Sequence, residues 1–389
     1  MIAALAAHLR DLDLAEEAFA EAVEACLALA EPPSNVAAWL HVAAKRKAID
    51  AIRKRGTEAR AIAKAALTNA AEDDMADIVT LPDPIPDERL RLIFMCCHPA
   101  LAPEARAALS MKVICGQPVE AIARVFLTTE QTMYQRITRA KSKVREAGIA
   151  FELPERRHWA DRLGAVLLTL ELLYTVAYQD AAGEHDPDLA SEAARLSAMV
   201  AELCPDEPEA LGLAALVTLA RSREAARLDD YGAMIPLSKQ DTARWDFALI
   251  ERARIWLEDA NRIGRSGPHQ IMAMIQLTHA RRAFDGRTDW RTILSLYDAL
   301  IAMRPDPVVA LNRALALAEV EGPEAAMAEI ETLPGARLRN ARSLHVARAN
   351  LLTRLGKPKE AATCLDTALS MNPPRAERML LERRRIELG

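Results

Sequence analysis

Aromatic side chains are scarce in this chain, 4% of its 389 residues, although hydrophobic residues of all kinds make up 51%. Its cores must therefore be built from alanine and leucine, which favour packed helices over sheets. No apolar run reaches the ~18 residues of a membrane span, and no signal peptide stands at the start. A cytoplasmic protein without membrane contact is expected. The six cysteines follow no CxxC or paired spacing, which predicts free thiols and no metal. Neither a phosphate-cradling glycine loop nor a nucleophile–base pair stands out, so neither an enzyme nor a cofactor is expected. Net charge is only −5. Any nucleic-acid binding would therefore rest on local patches and not on global charge. The length predicts two or three domains.

Such a patch occurs in residues 103–145, PEARAALSMKVICGQPVEAIARVFLTTEQTMYQRITRAKSKVR. Gly116 ends a first apolar helix, as glycine does in a left-handed turn. Val119, Ile122, Ala123 and Phe126 then recur at helical spacing. Thr128, with Gln131 three residues on, predicts a capping box for the next helix. There Met133, Ile137, Ala140 and Val144 make one apolar face. At ~100° per residue, Tyr134, Gln135, Thr138 and Arg139 share a solvent-facing side. Arg136, Arg139, Lys141, Lys143 and Arg145 supply five positive charges against Glu130. A short helix, a tight turn and a basic second helix form the pattern that enters a DNA major groove. The competing reading is a basic face that is merely solvated.

A second basic helix begins near Trp39, with Lys45, Arg46, Lys47, Arg53, Lys54 and Arg55. Trp39, Leu40, Ala43, Ala44, Ile49 and Ile52 supply its apolar packing. Before it lies an acidic helix in which Asp11, Asp13, Glu16, Glu17, Glu21 and Glu24 face outward from Leu14, Ala18, Phe19, Ala22 and Val23. An acidic surface beside a basic one suits a protein partner on one side and nucleic acid on the other.

With both halves in view the chain resembles a sigma factor of the extracytoplasmic-function (ECF) class, the promoter-recognition subunit of bacterial RNA polymerase. The run LRLIFMCCHPAL and the long helical tail are similar to the subfamily with a tetratricopeptide-like extension. The resemblance implies an all-α chain: region two at 1–60, an acidic, proline-containing linker at 61–90, a helix-turn-helix region four at 91–150, and the extension at 151–389. It implies that Glu16, Glu17 and Glu21 dock on the polymerase core. Lys45, Arg46, Lys47, Arg53 and Lys54 would lie along the minus-ten element. Tyr134, Gln135 and Thr138 fall at base-edge positions of the minus-thirty-five helix, and Arg136, Arg139 and Lys141 at phosphate positions. The loop EPPSNV, residues 31–36, is shorter than in close relatives. The first helix begins almost at Met1, so the leading part of region two is expected to be short. The partners implied are core polymerase and promoter DNA, with a regulatory protein or peptide at the extension. The alternative is a helix-turn-helix regulator with a repeat-type sensor domain that never joins polymerase.

In the tail, Gly322 and Gly356 lie 34 residues apart, and Pro305 and Pro373 lie 68 apart. A 34-residue helix–turn–helix period is the tetratricopeptide signature. The packing positions that follow from it are Ala361, Leu365 and Ala368; Ile293, Tyr297 and Leu300; and Ala193, Ser197 and Val200. The alternative is a purely structural helical domain. Tyr174, Tyr178, Trp245, Trp256, Trp290 and Tyr297 are expected in the core or between repeats. Asp241, Arg244 and Trp245, and the Gly267–His269 stretch, are expected to fix loops. Cys96, Cys97 and His98 predict a buried turn beside Pro99, because adjacent cysteines point apart. The isolated Cys26, Cys204 and Cys364 read as small core residues.

Overall fold

The computed structural model describes residues 2–9, 12–29, 31–54, 85, 87–147, 155–179, 188–333 and 341–389. The described residues are helical; their β-type pairing is a single isolated bridge between Leu228 and Met234. The chain divides into two compact units, Met1–Thr169 and Leu170–Gly389.

The first unit starts with α1 (Ile2–Leu9), α2 (Leu12–Leu27) and α3 (Val36–Lys54). Small residues, Ala6, Ala15, Ala18, Ala22, Ala44 and Ala48, fill the buried positions with Leu5 and Leu14. Such a seam lets helix backbones approach closely without aromatic side chains. Trp39 and Leu40, expected in this core, are only half-buried. The basic helix also begins before Trp39. Asn35 caps it, its Oδ1 accepting from Ala38 N at 3.0 Å, so the connecting loop is shorter than EPPSNV by its last residue.

The proposed linker at 61–90 lies outside the described residues up to 84, and its end is not a tether. Ile85 is 1% exposed. Asp87 caps α4 (Glu88–Cys96), accepting from Leu90 N at 2.8 Å, and Leu90 is fully buried. The acidic composition there is a helix cap followed by a core-facing turn. Then come α5 (Pro103–Val113), α6 (Val119–Val125) and α7 (Glu130–Glu146). Gly116 takes φ +68° between α5 and α6, as its place after an apolar helix predicted. Met133, Ile137, Ala140 and Val144 are buried on α7, and Val119, Ile122, Ala123 and Phe126 lie beneath them. The cap is displaced by one residue from the expected Thr128. Thr129 Oγ1 accepts from Thr132 N at 3.2 Å, and the two hydroxyls lie 2.8 Å apart. Leu127 at φ +49° turns the chain so that Thr129, not Thr128, meets the first free N–H groups.

The unit runs past residue 150 into α8 (Ala160–Gln179). Trp159 packs on Phe94, ring centroids 5.2 Å apart, and Arg162 Nη1 donates to Phe94 O at 2.9 Å. The sequence boundary at 151 therefore falls within packing shared with the helix-turn-helix.

The second unit is a stack of helical hairpins: α9 (Leu189–Leu203), α10 (Pro208–Arg221), α11 (Phe247–Ile263), α12 (Pro268–Ala280), α13 (Arg282–Asp285), α14 (Trp290–Met303), α15 (Pro307–Val320), α16 (Pro323–Thr332), α17 (Arg342–Arg354), α18 (Pro358–Ser370) and α19 (Arg375–Glu387). Helices α10, α12, α15, α16 and α18 each start on a proline, which is preorganised for the first turn and needs no N–H partner. Gly322 and Gly356 turn at φ +102° and +70°. The packing positions read from the 34-residue period are buried: Ala361, Leu365 and Ala368; Ile293 and Leu300; Ala193, Ser197 and Val200. Tyr297 packs beside Ile293 at a partly buried position. The last helix returns to the irregular segment after α10, where Met234 N donates to Ala376 O at 2.9 Å and Arg383 pairs with Asp229.

Candidate nucleic-acid interface

Burial of Met133, Ile137, Ala140 and Val144 leaves the opposite side of α7 to solvent. Tyr134 is 58% exposed, and Gln135, Thr138 and Arg139 are exposed beside it. These four side chains form one contiguous, unburied ridge. Lys143 and Arg145 occupy the last turn, where cations oppose the negative end of the helix dipole.

Two expected phosphate contacts are already engaged. Arg136 lies over the Phe126 ring, 5.3 Å from its centroid, and its Nη1 sits 2.8 Å from Glu104 Oε2 as an ion pair without hydrogen-bond alignment. Lys141 forms an ion pair with Glu16 on α2. Next to it Arg145 Nη1 donates to Asp13 Oδ2 at 2.6 Å. On the same acidic helix Glu21 pairs with Lys47 of α3 at 3.2 Å.

The acidic helix is thus not uniformly outward-facing. Glu17 and Glu21 are exposed, whereas Glu16 is half-buried beneath Lys141. The structure therefore brings two residues expected to meet polymerase, Glu16 and Glu21, into contact with two expected to meet DNA, Lys141 and Lys47. On α3, Arg46 is exposed and Lys45 half-buried. The side chains of Arg53 and Lys54 lie outside the described residues, as does that of Asp11. Sequence reasoning missed Glu104 and Asp13 as partners; opposite charge was the only signal, and it names no partner.

The CCHPAL turn is held by arginines from two directions. Arg106 donates to Leu101 O at 2.7 Å and Pro99 O at 2.8 Å, and Arg162 reaches the carbonyls ending α4. His98 Nδ1 accepts from Ala100 N at 3.2 Å. Burial, then the neighbouring Cys97, pushes the Cys96 thiol up. Burial pushes Cys97 up to about 11, against hydrogen bonds with Ser110 and Thr169. Both stay protonated near neutral pH and are poor nucleophiles. Among the described residues no group of three His, Cys, Asp or Glu is placed to hold a metal.

In the second unit the Gly267–His269 stretch does fix a loop. Glu209 of α10 accepts from His269 N at 3.0 Å, Gln270 N at 3.2 Å and His269 Nδ1 at 2.8 Å. His269 Nε2 lies 3.2 Å from Glu171, which also takes Arg304 at 3.2 Å. Burial alone would lower the His269 pKa; the bonds to Glu171 and Glu209 outweigh it and raise it to about 9. The result is a charge-balanced cluster of two carboxylates, one imidazolium and one guanidinium around the buried His269. Asp241 similarly folds its own loop, accepting from Ala243 N at 2.9 Å. No helix among the described residues is long and apolar enough to cross a membrane.

Residues 91–144 match the family Sigma-70, region 4, the segment that contains α5, α6 and most of α7. Residues 162–261 match a family of unknown function, DUF6596. A solved tetratricopeptide repeat protein from Parabacteroides merdae ATCC 43184 covers 73% of this chain and 90% of its own, at 13% identity and a TM-score of 0.36. An uncharacterized protein, R00370, from Rhizobium meliloti (strain 1021) is 40% identical over 375 residues, covering 95% of this chain and 88% of that one. This protein therefore belongs to one family with R00370, and within it residues 91–144 are similar to sigma-70 region 4.

Proposed function

We propose that the protein is a sigma factor of the ECF class, directing core RNA polymerase to two-part promoters, with a tetratricopeptide-like extension that regulates it through a protein or peptide. The observation that carries this reading is the exposed Tyr134, Gln135, Thr138 and Arg139 ridge on the last helix of a region 4 domain. Gln135 can pair bidentately with adenine, and the Thr138 methyl can meet a thymine methyl. Arg139 and Lys141 would set register on the phosphates, Lys141 after leaving Glu16. Lys45, Arg46, Lys47, Arg53 and Lys54 would track the minus-ten strand, and Glu16, Glu17 and Glu21 would meet polymerase. No catalytic step belongs to the chain itself.

The test is transcription in vitro by core polymerase mixed with the full-length protein. Specific initiation that is lost for particular sequences in Gln135→Ala or Thr138→Ala, but weakened evenly across sequences in Arg139→Ala, supports the reading. Each base contact should be worth about 1–3 kcal/mol of discrimination. Sequence-specific DNA binding without any association with core polymerase would instead establish the free-standing regulator, a reading favoured by the occupation of Glu16 and Glu21 by lysines.

A further inference from the structure

Among the described residues, the second unit holds three arginines close together whose contacts are not with carboxylates. Arg223 and Arg227 flank one helical turn just after α10 and are only 5% and 7% exposed. The Arg223 guanidinium makes its hydrogen bond to Gln276 of α12 at 2.7 Å. Arg227 lies 3.6 Å over the Tyr178 ring and donates to Tyr178 O at 2.6 Å. Arg282, on α13, donates to Gln240 O at 3.0 Å and stands 5.2 Å from the Trp245 ring centroid. Among the described residues, all three guanidiniums rest on neutral oxygens or rings. The neighbouring Glu224 is exposed and lies 3.7 Å from Arg221.

Arginine is rarely buried without a carboxylate or phosphate partner, because desolvating a charge with only neutral acceptors is unfavourable. Two further features mark the place: an excess of positive charge and a donor without an acceptor. His279 is pushed down to about 4 by burial and then by Arg223 and Arg282. Trp245, 3% exposed, has its indole N–H buried without an acceptor. One buried acceptor also lacks a partner, Gln240 Oε1, whose amide nitrogen is tied to Ile235 O.

We infer that Arg223, Arg227 and Arg282, beside Tyr174, Tyr178 and Trp245, form a binding site for a small oxyanion, a phosphate or a carboxylate group. The planar guanidinium fork matches both chemistries. The anion would neutralise the cluster and bridge the α10 turn to α13, so its binding would stiffen the irregular segment between α10 and α11. The inference is independent of the promoter reading, since neither DNA nor polymerase enters it.

The experiment uses the full-length protein, titrated with inorganic phosphate and separately with succinate, each against chloride at matched ionic strength. Thermal midpoint and the imidazole NMR signal of His279 are followed. One or both oxyanions should raise the midpoint and move the His279 pKa upward, because the anion offsets Arg223 and Arg282. A response to phosphate alone assigns a phosphoryl ligand, and to succinate alone a carboxylate. Arg223→Gln should weaken binding by roughly tenfold or more. Arg282→Gln, at the half-buried edge, should do the same and serves where the first variant does not fold. A wild-type His279 signal indifferent to both anions overturns the site, as does binding that survives both substitutions.

Discussion

Lys141, on the basic helix α7, is ion-paired with Glu16, which lies 125 residues earlier on the acidic helix α2. Arg145 and Asp13 repeat the arrangement one turn further along. The two residues of each pair cannot serve outside partners while they serve each other. Such partly exposed pairs are worth about 1 kcal/mol or less each, so DNA or polymerase can displace them.

Replacing the acids should therefore uncover the bases. Asp13→Asn with Glu16→Gln should raise affinity for duplex DNA roughly three- to tenfold at low salt, with a steeper loss as salt increases. Fluorescence anisotropy across a salt series measures both quantities. Identical affinity and slope in the double variant would show that Lys141 and Arg145 do not reach the phosphates.

The cap of α7 separates two adjacent threonines. Thr129→Ala removes the oxygen that accepts from Thr132 N and should cost about 1 kcal/mol. Thr128→Ala should cost much less. Urea unfolding of the two variants gives the comparison, and a larger loss at Thr128 would return the cap to that residue.

The buried His269 cluster makes a pH prediction. The folded pKa is raised from 6.5 to about 9, so the protonated form is the stabilising one. Its contribution is complete below pH 6.5 and is lost as pH rises through about 9. Glu171 and Glu209 are both held below their ordinary 4.5. Burial opposes that shift, and the bonds with His269, joined at Glu171 by Arg304, outweigh it. Their contribution is present above pH 4.5 and lost as pH falls. Thermal unfolding should thus show a plateau between these limits and a decline on the alkaline side. His269→Gln should flatten the alkaline decline and cost about 3 kcal/mol. A wild-type midpoint unchanged from pH 6 to 9.5 would contradict the assignment.

Gly212 sits inside α10, where glycine is usually a liability. A Cβ there would come within 2.6 Å of Gln270 N, backbone that α12 cannot move cheaply. Gly212→Ala should destabilise by about 1–3 kcal/mol, despite the ~1 kcal/mol gain expected from helix propensity. Gly164, in α8, has open space around its Cβ position. Gly164→Ala should be neutral or stabilising. The midpoints of denaturant curves decide, and matching behaviour of the two variants would refute the close approach.

The 3.6-residue period of apolar side chains determined the buried face of α7, hence the exposed Tyr134, Gln135, Thr138 and Arg139 ridge. The 34-residue spacing of Gly322 and Gly356 determined the turns and buried positions of the hairpin stack. Both are local: a helix face follows from neighbours within two turns, and a repeat from matching segments. The cap at Thr129 was missed because two adjacent threonines both suit it, and the left-handed Leu127 decides between them. Tertiary structure alone decided that Glu16 meets Lys141, that Trp159 and Arg162 complete the first unit, and that Arg223, Arg227 and Arg282 converge. Charge and burial say that such residues need partners. Which partner is set by where packed helices carry them, and no periodicity along the chain encodes that distance.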